Sequence, residues 1–285
     1  MTKEQFEIFS NFRSDFKDYC SSLNQQFGEA LKPLQIAAAQ KDTPEYPLET
    51  PVVYNTALDE LSQESEIRII VIGDNPGKDE QLSKNQKYLV GQSGKIAAGF
   101  FAKNPEFNTD FRKNAIILNK TPVHTAKTKH IKQLLKNGSE EIKNLISQSQ
   151  LYMAEKTARL HIDLCNSAGE NGIRPELWLV GYAELKGNGL FLKYRNQLKS
   201  TYNSTGHGNE STCHKDEATG HKDESIGHLE RSREISCWDS VYVFQHFSMN
   251  RFSIDLKDFR AENLKLGMAE AAHALGEKHK QEIFG

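Results

Sequence analysis

The stretch IIVIGDNPG, residues 69–77, decides how the rest of the chain is read. Four β-branched apolar residues run into a glycine, two short polar side chains, a proline and a second glycine. Such a run reads as a strand buried on both faces, as in a parallel sheet, that ends in a loop stiffened by Pro76. Open parallel sheets bind their ligands at the carboxyl ends of strands. Asp74 and Asn75 therefore stand where a site is expected, and Gly77 lets a ligand approach the backbone. The same residues, taken alone, also suit an ordinary strand-to-helix turn.

Around this stretch, 285 residues suffice for one large α/β domain with attachments. A formal net charge of -2 announces no nucleic-acid binder, so any such surface is a local patch. The N-terminal residues MTKEQFEIFSNF lack the apolar core of a signal peptide, and no run reaches the length of a membrane span. A cytoplasmic, monomeric protein without membrane contact is the expectation. The four cysteines, at 20, 165, 213 and 237, form no CxxC pair, so free thiols and neither a metal nor a cofactor are expected.

Phe6, Phe9, Phe12, Phe16, Tyr19, Leu23 and Phe27 recur every three or four residues, which predicts a long N-terminal helix with an aromatic stripe, with Leu31–Ala39 as its extension past a break at Pro33. The stripe suits packing on its own domain or, alternatively, a partner. Residues 1–50 are read as a helical extension and 51–285 as the α/β domain. Further strands are predicted at Asn114–Pro122, Leu177–Val180 and Ser240–Gln245, and helices at Glu140–Leu164 and Leu264–His279. Gly91 and Gly94 bracket Ser93 just before an apolar run, the pattern of a turn feeding a helix N-terminus, where phosphates bind. A nucleotide P-loop is excluded there, because Leu89 and Ile96 occupy positions that require Gly and Ser or Thr.

Lys120, Lys127, Lys129 and Lys132, with His124 and His130 among them, read as a solvated face or as a phosphate-contacting loop. Residues 203–234 carry the near-tandem heptads HKDEATG and HKDESIG and few large apolar residues, which predicts a flexible insertion. Its histidines and Cys213 match no known set of metal ligands.

Polar residues thus gather at three strand tips: Asp74 and Asn75, then Asn119, then His246 and Ser248. At these positions the chain resembles the uracil-DNA glycosylase superfamily. GDNPG (73–77) is similar to its first motif in the GxNPG form, KYLVGQSG (87–94) to a segment of its iron-sulfur branch, IILNK (116–120) to the strand whose asparagine reads uracil, and HFSMN (246–250) to its final motif. The resemblance covers roughly 65–260 without the insertion. It implies a three-layer α/β/α fold with a mainly parallel central sheet and a metal-independent, monofunctional DNA glycosylase that flips deoxyuridine out of DNA and hydrolyses its N-glycosidic bond. It also implies roles. Asn75 would position the water, Asn119 would read the base edge, and His246 would donate to the departing uracil. Asp74 and Gly77 would line the pocket, and Tyr88 or Leu89 would face the flipped base. Ser93 and Ser248 would hold phosphates, while Met249, Asn250 and Arg251 would enter the duplex.

Three departures from that pattern stand out. Gly77 replaces a tyrosine that excludes thymine, the iron-sulfur cysteines are missing, and Phe247 replaces a proline. Two other readings stand beside the glycosylase: a weakly active or inactive DNA- or nucleobase-binding module of the same fold, and another nucleotide-acting hydrolase.

Overall fold

The computed structural model describes residues 1–170, 172–206 and 236–285. Among these residues, four strands form one all-parallel sheet: β1 (Ile69–Gly73), β2 (Ala115–Asn119), β3 (Glu176–Val180) and β4 (Val241–Phe244), in the order β2-β1-β3-β4. Ile69 pairs with Ala115 and with Glu176, and Val180 pairs with Phe244. The strands therefore end together along one edge. β1 and β2 are almost wholly apolar and buried throughout, as expected of strands covered on both faces.

The long N-terminal helix is α1 (Lys3–Ala39), capped by a reciprocal pair of hydrogen bonds between Thr2 and Gln5. It passes Pro33 without the predicted break. Pro33 removes the N–H that would serve the Glu29 carbonyl, and both residues lie on the exposed side of the helix, where a lost backbone bond costs least. Phe9, Phe12, Phe16 and Leu23 are buried in the same core as the sheet. Tyr19 of this helix stacks on Tyr152 of α4 (Glu140–Asn166). α4 also packs on α5 (Leu192–Gly206), where His161 bonds Tyr202 at 2.5 Å.

A second group of helices gathers around Trp178 of β3. Phe101 of α2 (Gln92–Lys103) and Phe252 of α6 (Arg251–Glu262) have ring centroids 5.2 and 6.2 Å from it, and α7 (Met268–Phe284) lies against β4. α3 (Ile131–Asn137) joins the first group through α1 and α4. Two separate helix groups about one parallel sheet are consistent with a three-layer α/β/α architecture.

Element boundaries differ from expectation by a few residues. β2 begins at Ala115 and ends at Asn119, inside the expected Asn114–Pro122, and α7 begins at Met268 and extends to Phe284. Residues 203–206, expected in the flexible insertion, finish α5, because Tyr202 beside them is anchored in the core. The rest of that insertion, with its heptads and Cys213, lies outside the described residues. Among the described residues no helix is long and apolar enough to cross a membrane.

The strand order fixes where a ligand can enter. β2 lies on one side of β1 and β3 on the other, so the chain reverses direction across the sheet between them. The loops leaving β1 and β3 then diverge and open a crevice at their carboxyl ends.

Candidate active site

That crevice is a cavity of about 480 Å³, within the range of small-molecule sites. Ten residues expected from the sequence line it: Asp74, Asn75, Gly77, Leu89, Ser93, Asn119, His246, Ser248, Met249 and Arg251. Two do not. Tyr88 is fully buried, with its hydroxyl donating to the Val53 carbonyl at 2.5 Å. Asn250 faces a neighbouring depression beside Lys95 and Ser253. Of the pair Tyr88 and Leu89, the geometry selects Leu89 as the wall of the cavity.

The backbone explains that selection. Leu89 has φ +53°, a conformation uncommon for leucine, which turns it away from the direction of Tyr88. Its carbonyl accepts a hydrogen bond from Arg112 and sits so close to Gly94 that a Cβ there would overlap it at 1.4 Å. Gly94 is thus required for the first turn of α2 to close over the loop. Ser93, between Gly91 and Gly94, lies in this first turn and reaches the cavity.

Asn75 is held by its amide nitrogen, which donates to Thr125 Oγ1 at 2.9 Å and to the carbonyls of Pro76 at 3.2 Å and Val123 at 3.4 Å. This network assigns the orientation of the amide and leaves Oδ1 as its free acceptor. Asn119, the last residue of β2, lies across Gly73, where any Cβ would come within 2.4 Å of its amide oxygen. Its Nδ2 is buried and has no hydrogen-bond partner among the described residues. A buried donor without an acceptor is destabilising, and a ligand carbonyl would relieve it.

His246 follows β4. The Ser248 N–H donates to its Nδ1 at 3.0 Å, with the Ser248 hydroxyl 2.8 Å from the same atom. A ring nitrogen that accepts from a backbone N–H carries no proton, so the neutral imidazole has its hydrogen on Nε2. Burial lowers the pKa of His246, partly opposed by the negative charge of Asp74. Phe247, where the resembled motif has proline, is buried against Phe111 and Phe252. Its packing fixes the turn that proline would otherwise stiffen. Beyond it Met249 and Asn250 are successive left-handed residues, with φ +56° and +54°, and Met249 is 76 % exposed.

Three features of the site escaped sequence reasoning. Lys120, grouped by the sequence with a solvated lysine run, is entirely buried beneath the cavity. Its ammonium lies 2.6 Å from Asp74 Oδ1, 2.5 Å from the Val180 carbonyl and 3.3 Å from the Gly73 carbonyl. It thus ties together the ends of β1, β2 and β3. Burial lowers its pKa, and Asp74 opposes that shift. The signal available in the sequence was a lysine directly following an apolar strand. His124 and His130 are also buried, on the Pro76 carbonyl and on Asp42 respectively, whereas Lys127 and Lys129 stand at the cavity rim. Thr125, which holds Asn75, and Glu80, on the wall beside Gly77, complete the unforeseen set.

Gly181, after β3, has φ +99°, and a Cβ there would lie 2.3 Å from Asp74 Oδ1 and 3.1 Å from Lys120 Nζ. Gly181→Ala is expected to destabilise the fold by on the order of 2 kcal/mol or more, from backbone strain and displacement of the ion pair. A denaturant midpoint equal to that of the parent protein would refute this.

The arrangement offers an acceptor (Asn75 Oδ1), two donors (Asn119 Nδ2 and His246 Nε2), a buried ion pair as floor and a rim bearing Lys127, Lys129 and Arg251. Such a set can bind a planar polar group, orient a water and stabilise negative charge leaving it. Compared with known protein families, curated proteins and solved structures, the chain matches none.

Proposed function

We propose that the protein is a DNA glycosylase of the uracil type, hydrolysing the N-glycosidic bond of a flipped-out deoxyuridine. One observation carries this reading. Asn75, Asn119 and His246, from loops or strand ends far apart in sequence, line a single cavity, each with a polar atom that has no hydrogen-bond partner among the described residues. The parallel four-stranded sheet, with its cavity at the switch point, is compatible with the fold that the sequence resemblance implies.

In this reading the flipped base enters between Leu89 and the β2 tip. Asn119 donates from Nδ2 to uracil O4 and accepts the N3–H with Oδ1, a pattern that cytosine reverses. Asn75 Oδ1 orients a water toward C1′. The water adds to C1′, and the N-glycosidic bond breaks with its electron pair on the base. The water loses a proton to solvent, and the uracil anion takes one up on release. Nε2–H of His246 donates to O2, where the negative charge collects, and the neutral ring is the form that burial favours. Met249 is the exposed apolar side chain at the mouth that would fill the gap in the stack, with Lys127, Lys129, Arg251 and Ser93 toward the phosphates.

The test is release of free uracil by the full chain from a single-stranded oligonucleotide and from a U:G duplex. Release from either is the expected result, and Ser248→Ala should slow it severalfold, since its backbone N–H still sets the tautomer of His246. Binding of the oligonucleotide without any base release would replace this reading with the nucleobase-binding module.

A further inference from the structure

Glu184 on the cavity wall already accepts a hydrogen bond from the Leu190 N–H at 3.0 Å, whereas Glu80, on the same wall, has no part in the chemistry above. It is 8 % exposed and stands beside Gly77, where even an added Cβ would be 3.8 Å from its Oε1. Its Oε2 is buried and has no hydrogen-bond partner among the described residues. An unpaired carboxyl oxygen at such a place destabilises the empty protein, as the unpaired Nδ2 of Asn119 does on the same cavity. Two orphaned polar atoms on one wall system point to a ligand with more than one polar edge.

We propose that Glu80 is a specificity-determining residue of this cavity, whose carboxylate accepts a hydrogen bond from an N–H or O–H group of the bound base. The inference rests on the base-binding reading of the site. It adds a ligand class: bases that present a donor in addition to the edge met by Asn119, such as a hydroxyl-bearing pyrimidine or a purine lactam. Gly77, with no side chain, leaves the approach to Glu80 open.

The electrostatics give the idea a sign. Burial pushes the pKa of Glu80 up to about 7, held back by the backbone N–H groups of Gly77 and Leu89 and by Arg112, while Asp79 adds to the rise. The Tyr88 phenol is the other titratable group against it, and burial keeps that phenol un-ionised. A ligand that donates to Glu80 binds only the ionised form, so binding releases a proton wherever the carboxyl is protonated in the free protein. Affinity then falls by roughly thirtyfold between pH 8.0 and pH 5.5. A ligand that accepts from the protonated acid would give the opposite trend. His246 also faces the cavity, so the comparison must isolate Glu80.

The experiment is calorimetric titration of the full chain and of Glu80→Gln with free uracil, 5-hydroxymethyluracil and hypoxanthine at pH 5.5, 6.5 and 8.0. The expected result is a base whose affinity for the parent protein drops roughly thirtyfold toward pH 5.5, a dependence that Glu80→Gln removes. In the parent protein alone, titrations at pH 6.5 in buffers of different ionisation enthalpy should report net proton release. Affinity that is flat or rises as pH falls, absence of proton release, or a dependence that survives in Glu80→Gln would each overturn the role of Glu80 and leave the base site standing. Failure of all three bases to bind at any pH would overturn both.

Discussion

His246→Ala and Asn75→Ala are each expected to slow uracil release by about 10²–10³-fold, the usual effect of removing one preorganised group that meets developing charge. The effects differ in kind. Loss of His246 removes the donor to the departing base, so single-turnover release slows while binding of the oligonucleotide changes little. Loss of Asn75 removes the acceptor for water and also frees Thr125 and the carbonyls of Pro76 and Val123, which its amide nitrogen holds. Because burial lowers the pKa of His246, its ring is neutral at pH 7 and above, and the rate should not depend on its protonation there. Single-turnover assays over pH 6–9 measure both points. Undiminished release in both variants would remove these two residues from the mechanism.

Lys120→Met is expected to destabilise the protein by about 3–5 kcal/mol, as breaking one side of a buried ion pair does elsewhere. The side chains of Lys120 and Asp74 are 0 % and 8 % exposed, so the orphaned carboxylate cannot turn to solvent. The carbonyls of Val180 and Gly73 lose a donor in the same step. Joining the change to Asp74→Asn should recover a large part of the loss, since no isolated charge then remains under the cavity. Urea denaturation of the three variants gives the coupling directly. If Lys120→Met alone unfolded at the parent midpoint, the pair would not be holding the strand ends together.

Much of the framework was readable in advance because it is written in local patterns. Runs such as IIVIG and AIILN are too apolar for half-exposed strands, and the residues after them are polar and short. Their shared edge followed from parallel pairing, which is why ten of the twelve expected site residues meet in one cavity. The two exceptions have local causes that no pattern carries. Leu89 takes a left-handed backbone that reverses which of two neighbours faces the ligand, and the paired left-handed residues 249 and 250 turn Asn250 onto another surface.

The lysine run shows where sequence patterning stops. Lys120, Lys127 and Lys129 look alike in sequence, yet the first is fully buried and the other two have side chains 49 % and 62 % exposed. What separates them is that Asp74 and the Val180 carbonyl, 46 and 60 residues away in the chain, converge on one of the three. Glu80 is decided in the same way, by burial together with the Leu89 N–H and the Arg112 charge, which come from other parts of the chain to act on its carboxylate.

The sequence by itself determined the strands, their parallel class and the identities of the residues at their tips, because periodicity and turn chemistry act over a few neighbouring residues. Only the tertiary structure decided which charges are buried, which amide and imidazole atoms are left without partners, and therefore which atoms a ligand would meet. Those properties depend on groups brought together from distant parts of the chain, and the energies of desolvation and pairing exist only after that assembly.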